Sequence, residues 1–306
     1  MFLRSRSAEL LRRVLARIDA PATPAAQPRA ARPLRAPSGA ARTARRRRPQ
    51  SGLVRQSASA PGSRKAAMFF DDYPSFYETS ETVPSRARLN LRYEAIIAEN
   101  RDILDGARVL DIASHDGRWS LAALAAGARS VVGIEGRSEL VEHSVVNLER
   151  YGYGPDQHRF VCGDVHEVLN SEAFDVDVVL CLGFLYHTLR YNELLAGIRR
   201  TSARHVIIDT QSRMMMQPEP VVPLFREHVE KQSAAVLDRY SHGESVISGR
   251  PNLAAIRMMT DAYGYRVERL ADWGGILRDN PDLRGCTDYA KQGRVTIRFV
   301  DKDVVA

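Results

Sequence analysis

The sequence of 306 residues is poor in cysteine and has no long apolar run. Its three cysteines, Cys162, Cys181 and Cys286, are far apart, and no CxxC or Cys/His spacing links them. This pattern argues against a disulfide framework and against a zinc site, so we expect reduced thiols, as in a cytoplasmic enzyme, and no bound metal. No stretch of about 18 apolar residues is present, so no membrane-spanning helix is expected.

Acidic residues are scarce in the first part of the chain only. Residues 1–67 contain 16 Lys and Arg but only two acids, Glu9 and Asp19, which gives a net charge of +14. Residues 68–306 contain 28 bases and 35 acids, so their net charge is −7. A nucleic-acid-binding domain carries its positive charge on its folded surface. We therefore expect the body of the protein to form no stable complex with nucleic acid.

The basic segment 1–67 is rich in Ala, Pro, Arg and Ser and has almost no aromatic residues. Such a composition buries too little apolar surface to fold, which predicts disorder over 20–67. Residues 7–18, before this range, could form a short basic amphipathic helix. Three interpretations stay open: translation that really starts at Met68, an organelle transit peptide, or a tether to nucleic acid or membrane. We expect one folded domain over 68–306, with an insertion at about 211–252.

From residue 68 onward, short apolar runs alternate with amphipathic stretches. This order is typical of βαβ units and a parallel sheet, that is, of an α/β fold with helices on both faces. A helix is expected at about 86–104 and another at about 252–263. The predicted strands are 108–113, 130–135, 159–164, 176–183, 205–210, 265–270 and 294–300.

Acidic residues stand at the ends of three successive predicted strands: Asp111, Glu135 and Asp164. Ligands of open parallel sheets bind outside the carboxyl ends of the strands. The acid after strand two can accept the ribose hydroxyl protons of a nucleoside, and the acid after strand three can accept from an adenine amino group. Asp111 would repel a pyrophosphate but would attract a cationic, amino-acid-bearing ligand. The pattern favours such a ligand over a nicotinamide dinucleotide.

The segments VLDIASHDG, VVGIE, FVCGD and FDVDVVLCLG resemble motifs I to IV of class I S-adenosylmethionine-dependent methyltransferases. The resemblance implies a Rossmann-like sheet of seven strands in the order 3-2-1-4-5-7-6, with the last strand antiparallel. It also implies S-adenosyl-L-methionine as the cofactor. The cofactor-binding residues that it implies are Asp111, Ala113, Ser114, His115 and Gly117 for the methionine part, Glu135 for the ribose, Asp164 and Val165 for the adenine, and Cys181 at the end of strand four.

The sequence departs from this family in the loop after strand one. Ala113 and His115 stand where the family has glycine, and only Gly117 matches. We expect His115 to shape the loop or to contact the cofactor carboxylate.

Beyond motif IV, GFLYHTL (183–189) is similar to the tRNA wobble-uridine carboxymethyltransferase family and to many small-molecule methyltransferases. His187 is the candidate general base, unless it only fastens its turn by hydrogen bonds, and Tyr186 either lines the substrate pocket or packs the loop. Asp209, after strand five, is a candidate for substrate contact or for a local cap.

Several further residues have both a structural and a functional interpretation. Tyr73 and Tyr77 could close over the cofactor or pack on the surface, and Trp119 is expected to pack a helix on the sheet. His242 and Arg250 belong to the insertion, where this fold builds its specificity. The methionines 214–216 could favour an apolar substrate.

The favoured function is transfer of a methyl group to a small molecule, at oxygen or at nitrogen. The alternatives are an RNA-modifying methyltransferase of the wobble-uridine type and a catalytically silent protein that binds S-adenosylmethionine. The oligomeric state is not predicted.

Overall fold

A computed structural model describes residues 68–79, 85–228, 243–283 and 285–304. The predicted disordered tail, the helix at 7–18 and His242 lie outside the described residues. The strands are β1 (Arg108–Ile112), β2 (Ser130–Glu135), β3 (His158–Cys162), β4 (Val178–Leu182), β5 (His205–Gln211), β6 (Leu224–His228), β7 (Ser245–Gly249), β8 (Tyr265–Leu270) and β9 (Arg294–Asp301). The α-helices are α1 (Arg86–Ile96), α2 (Arg101–Leu104), α3 (Arg118–Ala125), α4 (Ser138–Arg150), α5 (Val165–Ser171), α6 (Tyr191–Arg200), α7 (Leu253–Ala262), α8 (Trp273–Asp279) and α9 (Thr287–Ala290). Short 3-10 helices occupy Phe69–Asp72, Pro74–Tyr77, Ala98–Asn100 and Leu185–His187.

Seven strands form one sheet in the order β3-β2-β1-β4-β5-β9-β8. The first five are parallel, and β9 is antiparallel both to β5 and to β8. The predicted α/β fold class and strand order are therefore confirmed. Because β1 lies in the middle of the parallel part, the loop that follows it stands where strand order reverses, which is the usual ligand site of such sheets.

Two apolar clusters cover the two faces of the sheet. One contains Leu110, Ile134 and Ile208 with residues of α5, α6 and α7, and the other contains Val109 and Leu180 with residues of α1, α3 and the N-terminal segment. Neighbouring residues of a strand point to opposite faces, so strands buried on both faces read as continuous apolar runs. This burial holds the carboxyl ends of β1 to β5 at one edge of the sheet.

The predicted helix at 86–104 is interrupted. The helix α1 begins at a capping serine, since Ser85 Oγ accepts the Arg88 N–H at 3.0 Å, and it ends at Ile96. The side-chain amide of Asn100 is buried and donates to the carbonyl oxygens of Ala95 and Ile96, at 3.3 and 2.9 Å. These bonds satisfy carbonyls that the end of a helix leaves free, so the chain turns before α2.

The insertion contains a hairpin that the sequence did not predict. Strands β6 and β7 pair antiparallel and form a separate two-stranded sheet. At Gly249 an added Cβ would lie 2.4 Å from the hydroxyl of Tyr191 and 2.8 Å from Leu189 Cδ2. The absence of a side chain at Gly249 therefore lets the hairpin lie directly against the segment after β4. In the described part of the chain, no helix combines the length and the apolar character needed to cross a membrane.

Candidate active site

The loop between β1 and α3 has a left-handed backbone at three positions. The φ angles of Ala113, His115 and Gly117 are +55°, +56° and +79°. A residue with a Cβ pays about 1–2 kcal/mol for this conformation, so Ala113 and His115 adopt a glycine-like backbone at an energetic cost. At both departures from the family pattern, the backbone is thus in the region that glycine favours. Strain of this kind is concentrated at functional sites.

Glu135, at the end of β2, holds this loop in place. Its carboxylate accepts the N–H of His115 at 3.0 Å through Oε2 and the N–H of Arg137 at 3.0 Å through Oε1. Ser114 donates its own N–H to the Ile134 carbonyl at 3.0 Å. Each oxygen of a carboxylate has a second lone pair. Glu135 can therefore accept further hydrogen bonds while it fixes the loop.

Asp164 lies one strand further along the same edge and caps α5. Its Oδ1 accepts the N–H groups of His166 and Glu167, at 2.9 and 3.0 Å. Arg190 Nη1 lies 3.5 Å from the same oxygen. Among the described residues nothing donates to Oδ2, and about a third of the side chain is exposed. One oxygen of Asp164 is therefore open to a donor such as an amino group.

The side chain of His115 has one satisfied and one unsatisfied nitrogen. Its Nδ1 accepts the N–H of Asp116 at 2.9 Å and lies 3.1 Å from Arg118 Nη2. A neutral imidazole that accepts at Nδ1 carries its proton on Nε2. His115 Nε2 and Ser114 Oγ are both buried and have no hydrogen-bond partner among the described residues. Buried polar groups of this kind call for an explanation, and a polar ligand at the loop would supply one.

Asp111 is 1% exposed and accepts the Ser120 hydroxyl at 2.7 Å. Burial and the nearby charge of Glu135 raise the pKa of Asp111 to about 7. Asp116, five residues on, is equally buried, but Arg118 Nε donates to it at 2.7 Å. The burial of Asp116 would raise its pKa, yet the charge and the hydrogen bond of Arg118 lower it to about 2. The two carboxyls of one loop therefore respond to pH in opposite ways.

We expect Asp111→Asn to stabilise the protein at pH 8. A carboxyl whose pKa is raised in the folded state lowers stability as pH rises from its unfolded value of 3.8 to about 7, and the full penalty is present above pH 7. The amide carries no charge and so has no such penalty. The thermal unfolding midpoint of Asp111→Asn should exceed that of the wild type by a margin that grows as the pH is raised from 4 to 8. Asp116→Asn is the opposite control and should destabilise at pH 8; a lower midpoint for Asp111→Asn would contradict the prediction.

His187 forms a dyad with a residue of the hairpin. His187 Nδ1 lies 2.8 Å from Glu227 Oε2, and the two side chains are 10% and 25% exposed. A carboxylate only accepts hydrogen bonds, so Nδ1 carries the proton and Nε2 remains available as a base. The ring of Tyr186 lies beside the imidazole, with centroids 4.0 Å apart and the two planes tilted by 38°. Glu227 was missed because it lies 40 residues from His187 in the sequence.

Of the two interpretations of Asp209, substrate contact or a local structural role, its surroundings favour the structural one. Asp209 is fully buried, and its carboxylate accepts from Arg294 Nε at 2.7 Å, Arg92 Nη2 at 3.0 Å, Thr296 Oγ1 at 2.6 Å and the Tyr289 hydroxyl at 2.9 Å. Although burial raises its pKa, the charges of Arg294 and Arg92 lower it to about 2. All its acceptor capacity is used within the protein, so the cluster joins β5, β9, α1 and α9.

The Cys181 side chain belongs to the core rather than to the ligand edge. Cys181 is 0% exposed in the apolar cluster, and burial raises the pKa of its thiol to about 12. The sequence placed it at the site because it lies near the end of β4, but its side chain faces inward. Val165, 5% exposed, packs in the same cluster, directly after Asp164.

The aromatic residues before and after β1 pack as structural elements. Trp119 is 5% exposed in the cluster on the α3 face, as predicted. Tyr73 packs edge-on against Tyr151, with centroids 4.9 Å apart, and the Tyr77 hydroxyl donates to Asp71 at 2.6 Å. In the same segment Thr79 Oγ1 donates to Asp116 at 2.8 Å, so this segment is joined to the loop between β1 and α3.

The methionines 214–216 do not form one surface. Met215 is buried, whereas Met214 is 54% exposed. In the described parts of the chain, no group of three or more His, Cys, Asp or Glu side chains is arranged to hold a metal ion.

Comparison with known proteins agrees with this geometry. Residues 109–205 match the family described as a methyltransferase domain. The matched segment runs from β1 to the start of β5 and includes Asp111, Glu135, Asp164 and His187. The chain therefore contains a methyltransferase domain of class I architecture over these residues, and the resemblance stated from the sequence is confirmed. No curated protein matches the chain.

Many solved structures are similar in fold. One is the magnesium protoporphyrin IX methyltransferase of Synechocystis PCC 6803 with bound S-adenosylmethionine, which is 17% identical over 76% of this chain and 91% of its own, with a TM-score of 0.47. Another is an S-adenosylmethionine-dependent methyltransferase from Mesorhizobium loti, 13% identical over 65% of this chain and 92% of its own, with a TM-score of 0.45.

Proposed function

We propose that the protein is a methyltransferase that binds S-adenosyl-L-methionine at the carboxyl edge of β1, β2 and β3. The observation that carries the proposal is the strained loop 113–117, which Glu135 holds and which presents buried donors with no partner in the described part of the protein. A left-handed backbone lets the main chain approach a ligand closely. The orphaned Ser114 hydroxyl and His115 Nε2–H fit the carboxylate of an amino acid.

Glu135 and Asp164 fit the remaining parts of the same cofactor. The lone pairs of Glu135 that the loop leaves free can accept from vicinal ribose hydroxyls, and the open Oδ2 of Asp164 can accept from an adenine amino group. Asp111 contributes a negative charge beneath the site when it is ionised, which favours a cationic ligand. When bound, S-adenosylmethionine supplies a methyl group already activated on a sulfonium.

The acceptor that we propose is the hydroxyl or carboxyl group of a small molecule. For a hydroxyl acceptor, His187 Nε2 is the base that takes the proton, and Glu227 fixes the imidazole orientation and stabilises its protonated form. A carboxyl acceptor is ionised at neutral pH and gives up no proton in the transfer. Tyr186 covers one side of the imidazole and helps to exclude water. The net negative charge of residues 68–306 is less compatible with an RNA acceptor, which would need a basic surface.

The proposal is tested by binding and by transfer. Labelled S-adenosylmethionine should bind the full chain, and in a cellular extract the label should appear in the small-molecule fraction. Label in the RNA fraction would support the RNA alternative instead. Saturable binding with no labelled product in either fraction would leave a silent cofactor-binding protein, and no binding at all would refute the proposal.

Glu135→Gln is expected to weaken S-adenosylmethionine binding about ten- to a hundredfold, because hydrogen bonds to a charged group contribute about 1.5–3 kcal/mol. The amide keeps one acceptor oxygen but presents its NH2 group to the second backbone N–H, so the variant should also lose some stability, and its affinity is measured well below its unfolding temperature. Glu139→Gln is the matched control, since Glu139 is exposed in the first turn of α4 and carries the same charge. Equal affinities of the two variants, measured by calorimetric titration, would contradict the assignment of Glu135.

A further inference from the structure

Two arginines converge on one aromatic ring at the side of the dyad. Arg250 follows β7, and its Cζ lies 4.2 Å from the ring centroid of Phe225 on β6. Arg213 follows β5, and its Cζ lies 5.8 Å from the same centroid. Phe225 and Glu227 alternate with the exposed Arg226, so the face of β6 that carries Phe225 also carries the partner of His187. The ring therefore holds two guanidinium groups beside the proposed catalytic dyad.

Within the described residues, these two positive charges have no matched counter-charge. Neither Arg213 nor Arg250 forms an ion pair with any residue that the structure describes, and Arg250 Nε is buried without a hydrogen-bond partner there. Glu227 is the acid whose charge acts on Arg250, but its Oε2 is already bonded to His187. Burial and the repulsion of Arg213 lower the pKa of Arg250. A ligand anion would remove this imbalance.

Arg294 offers a contrast within the same region. Its guanidinium lies over Tyr186 at 5.3 Å, but its charge is balanced by the fully buried Asp209 at 2.7 Å. Tyr186 and Glu227 are both close enough to Arg250 to act on its charge. The unbalanced positive charge is thus located between the hairpin and Tyr186, on the acceptor side of the site.

We infer that Arg250 and Arg213 bind an oxyanion of the methyl acceptor, a carboxylate or a phosphate, with Phe225 fixing the two guanidinium groups. This inference rests on the proposed function, because it specifies the acceptor of the same site. A planar guanidinium binds carboxylate and phosphate through paired hydrogen bonds, and a ring face orients it for that task. The acceptor class is therefore a small molecule that carries an anionic group near the hydroxyl or carboxyl to be methylated.

The test uses two probe anions on the full chain, inorganic phosphate and benzoate, each titrated calorimetrically at constant ionic strength. Arg250→Gln should weaken binding of the preferred probe about tenfold or more, the loss of one charge-assisted hydrogen bond. Arg250→Lys keeps the charge but not the paired geometry and should be intermediate. Arg226→Gln is the matched control: it lies on the same hairpin with the same charge but on the exposed face, and its affinity should equal that of the wild type.

The titrations distinguish a phosphate from a carboxylate on the acceptor. They also distinguish failure of the anion site from failure of the proposed methyltransferase function. Preference for phosphate indicates a phosphorylated acceptor, and preference for benzoate an aromatic carboxylate. If Arg250→Gln does not fold, Arg213→Gln gives the same test, since Arg213 is exposed. The inference is overturned if neither probe binds saturably, or if Arg250→Gln and Arg226→Gln bind alike. A parallel titration with S-adenosylmethionine distinguishes these failures: unchanged cofactor binding leaves the proposed function standing, whereas its absence refutes that function whatever the anions do.

Discussion

Replacing His187 by glutamine is expected to lower methyl transfer about a hundred- to ten-thousandfold, the usual contribution of a positioned general base. Glutamine can still donate a hydrogen bond to Glu227, so the turn after β4 should keep its shape. Only the basic nitrogen is lost. The measurement is the rate of label transfer from S-adenosylmethionine into the small-molecule fraction, together with the cofactor affinity, which should not change.

The partner of His187, Glu227, is tested in the same assay of methyl transfer. Glu227→Gln should give a smaller loss, about tenfold, because the imidazole stays but loses its charged partner. The double variant should be no slower than His187→Gln alone, since residues that act as a unit are not additive. His228→Gln, at the exposed end of the same strand, is the control and should keep full activity. A fully active His187→Gln enzyme would show that His187 only fastens its turn.

Asp209→Asn is expected to reduce the free energy of unfolding by about 3–5 kcal/mol at neutral pH. Removing one partner of a buried ion pair leaves the other charge buried and uncompensated, and this costs far more than the pair contributes. Here the stranded charge is that of Arg294, which is 6% exposed and bonded to Asp209 at 2.7 Å. Urea unfolding of the wild type and the variant measures the difference.

The effect of Asp209 should depend on pH in a defined direction. Its pKa is lowered in the folded state from 3.8 to about 2, so its contribution is complete above about pH 4 and is lost as pH falls toward 2. Asp102→Asn is the matched control, because Asp102 also pairs with an arginine of β9, Arg298 at 2.8 Å, but is 58% exposed. Such a pair contributes at most about 1 kcal/mol. Similar losses for the two variants would contradict the buried-pair explanation.

The edge of the sheet proposed to bind the cofactor was predictable because the signals for it are local. A strand buried on both faces needs a continuous apolar run, so each strand could be placed within a residue or two, and the polar residue that ends it could be identified. Asp111, Glu135 and Asp164 were found in this way, and the topology places them at one edge. The glycine-poor loop was the weak point of the sequence, yet Ala113 and His115 adopt the backbone of glycine.

The contacts around His187, where we propose that the acceptor binds, could be found only from the tertiary structure. The pairing of His187 with Glu227, the saturation of Asp209 by residues from α1, α9 and β9, and the convergence of Arg213 and Arg250 on Phe225 all join segments far apart in the chain. Periodicity reports which face of an element a residue occupies, but not which distant side chain it meets or whether a charge is already neutralised. The sequence by itself therefore determined the fold class and the edge proposed for the cofactor, because those signals are local, and only the folded chain showed which charged groups near His187 are not already neutralised by described residues.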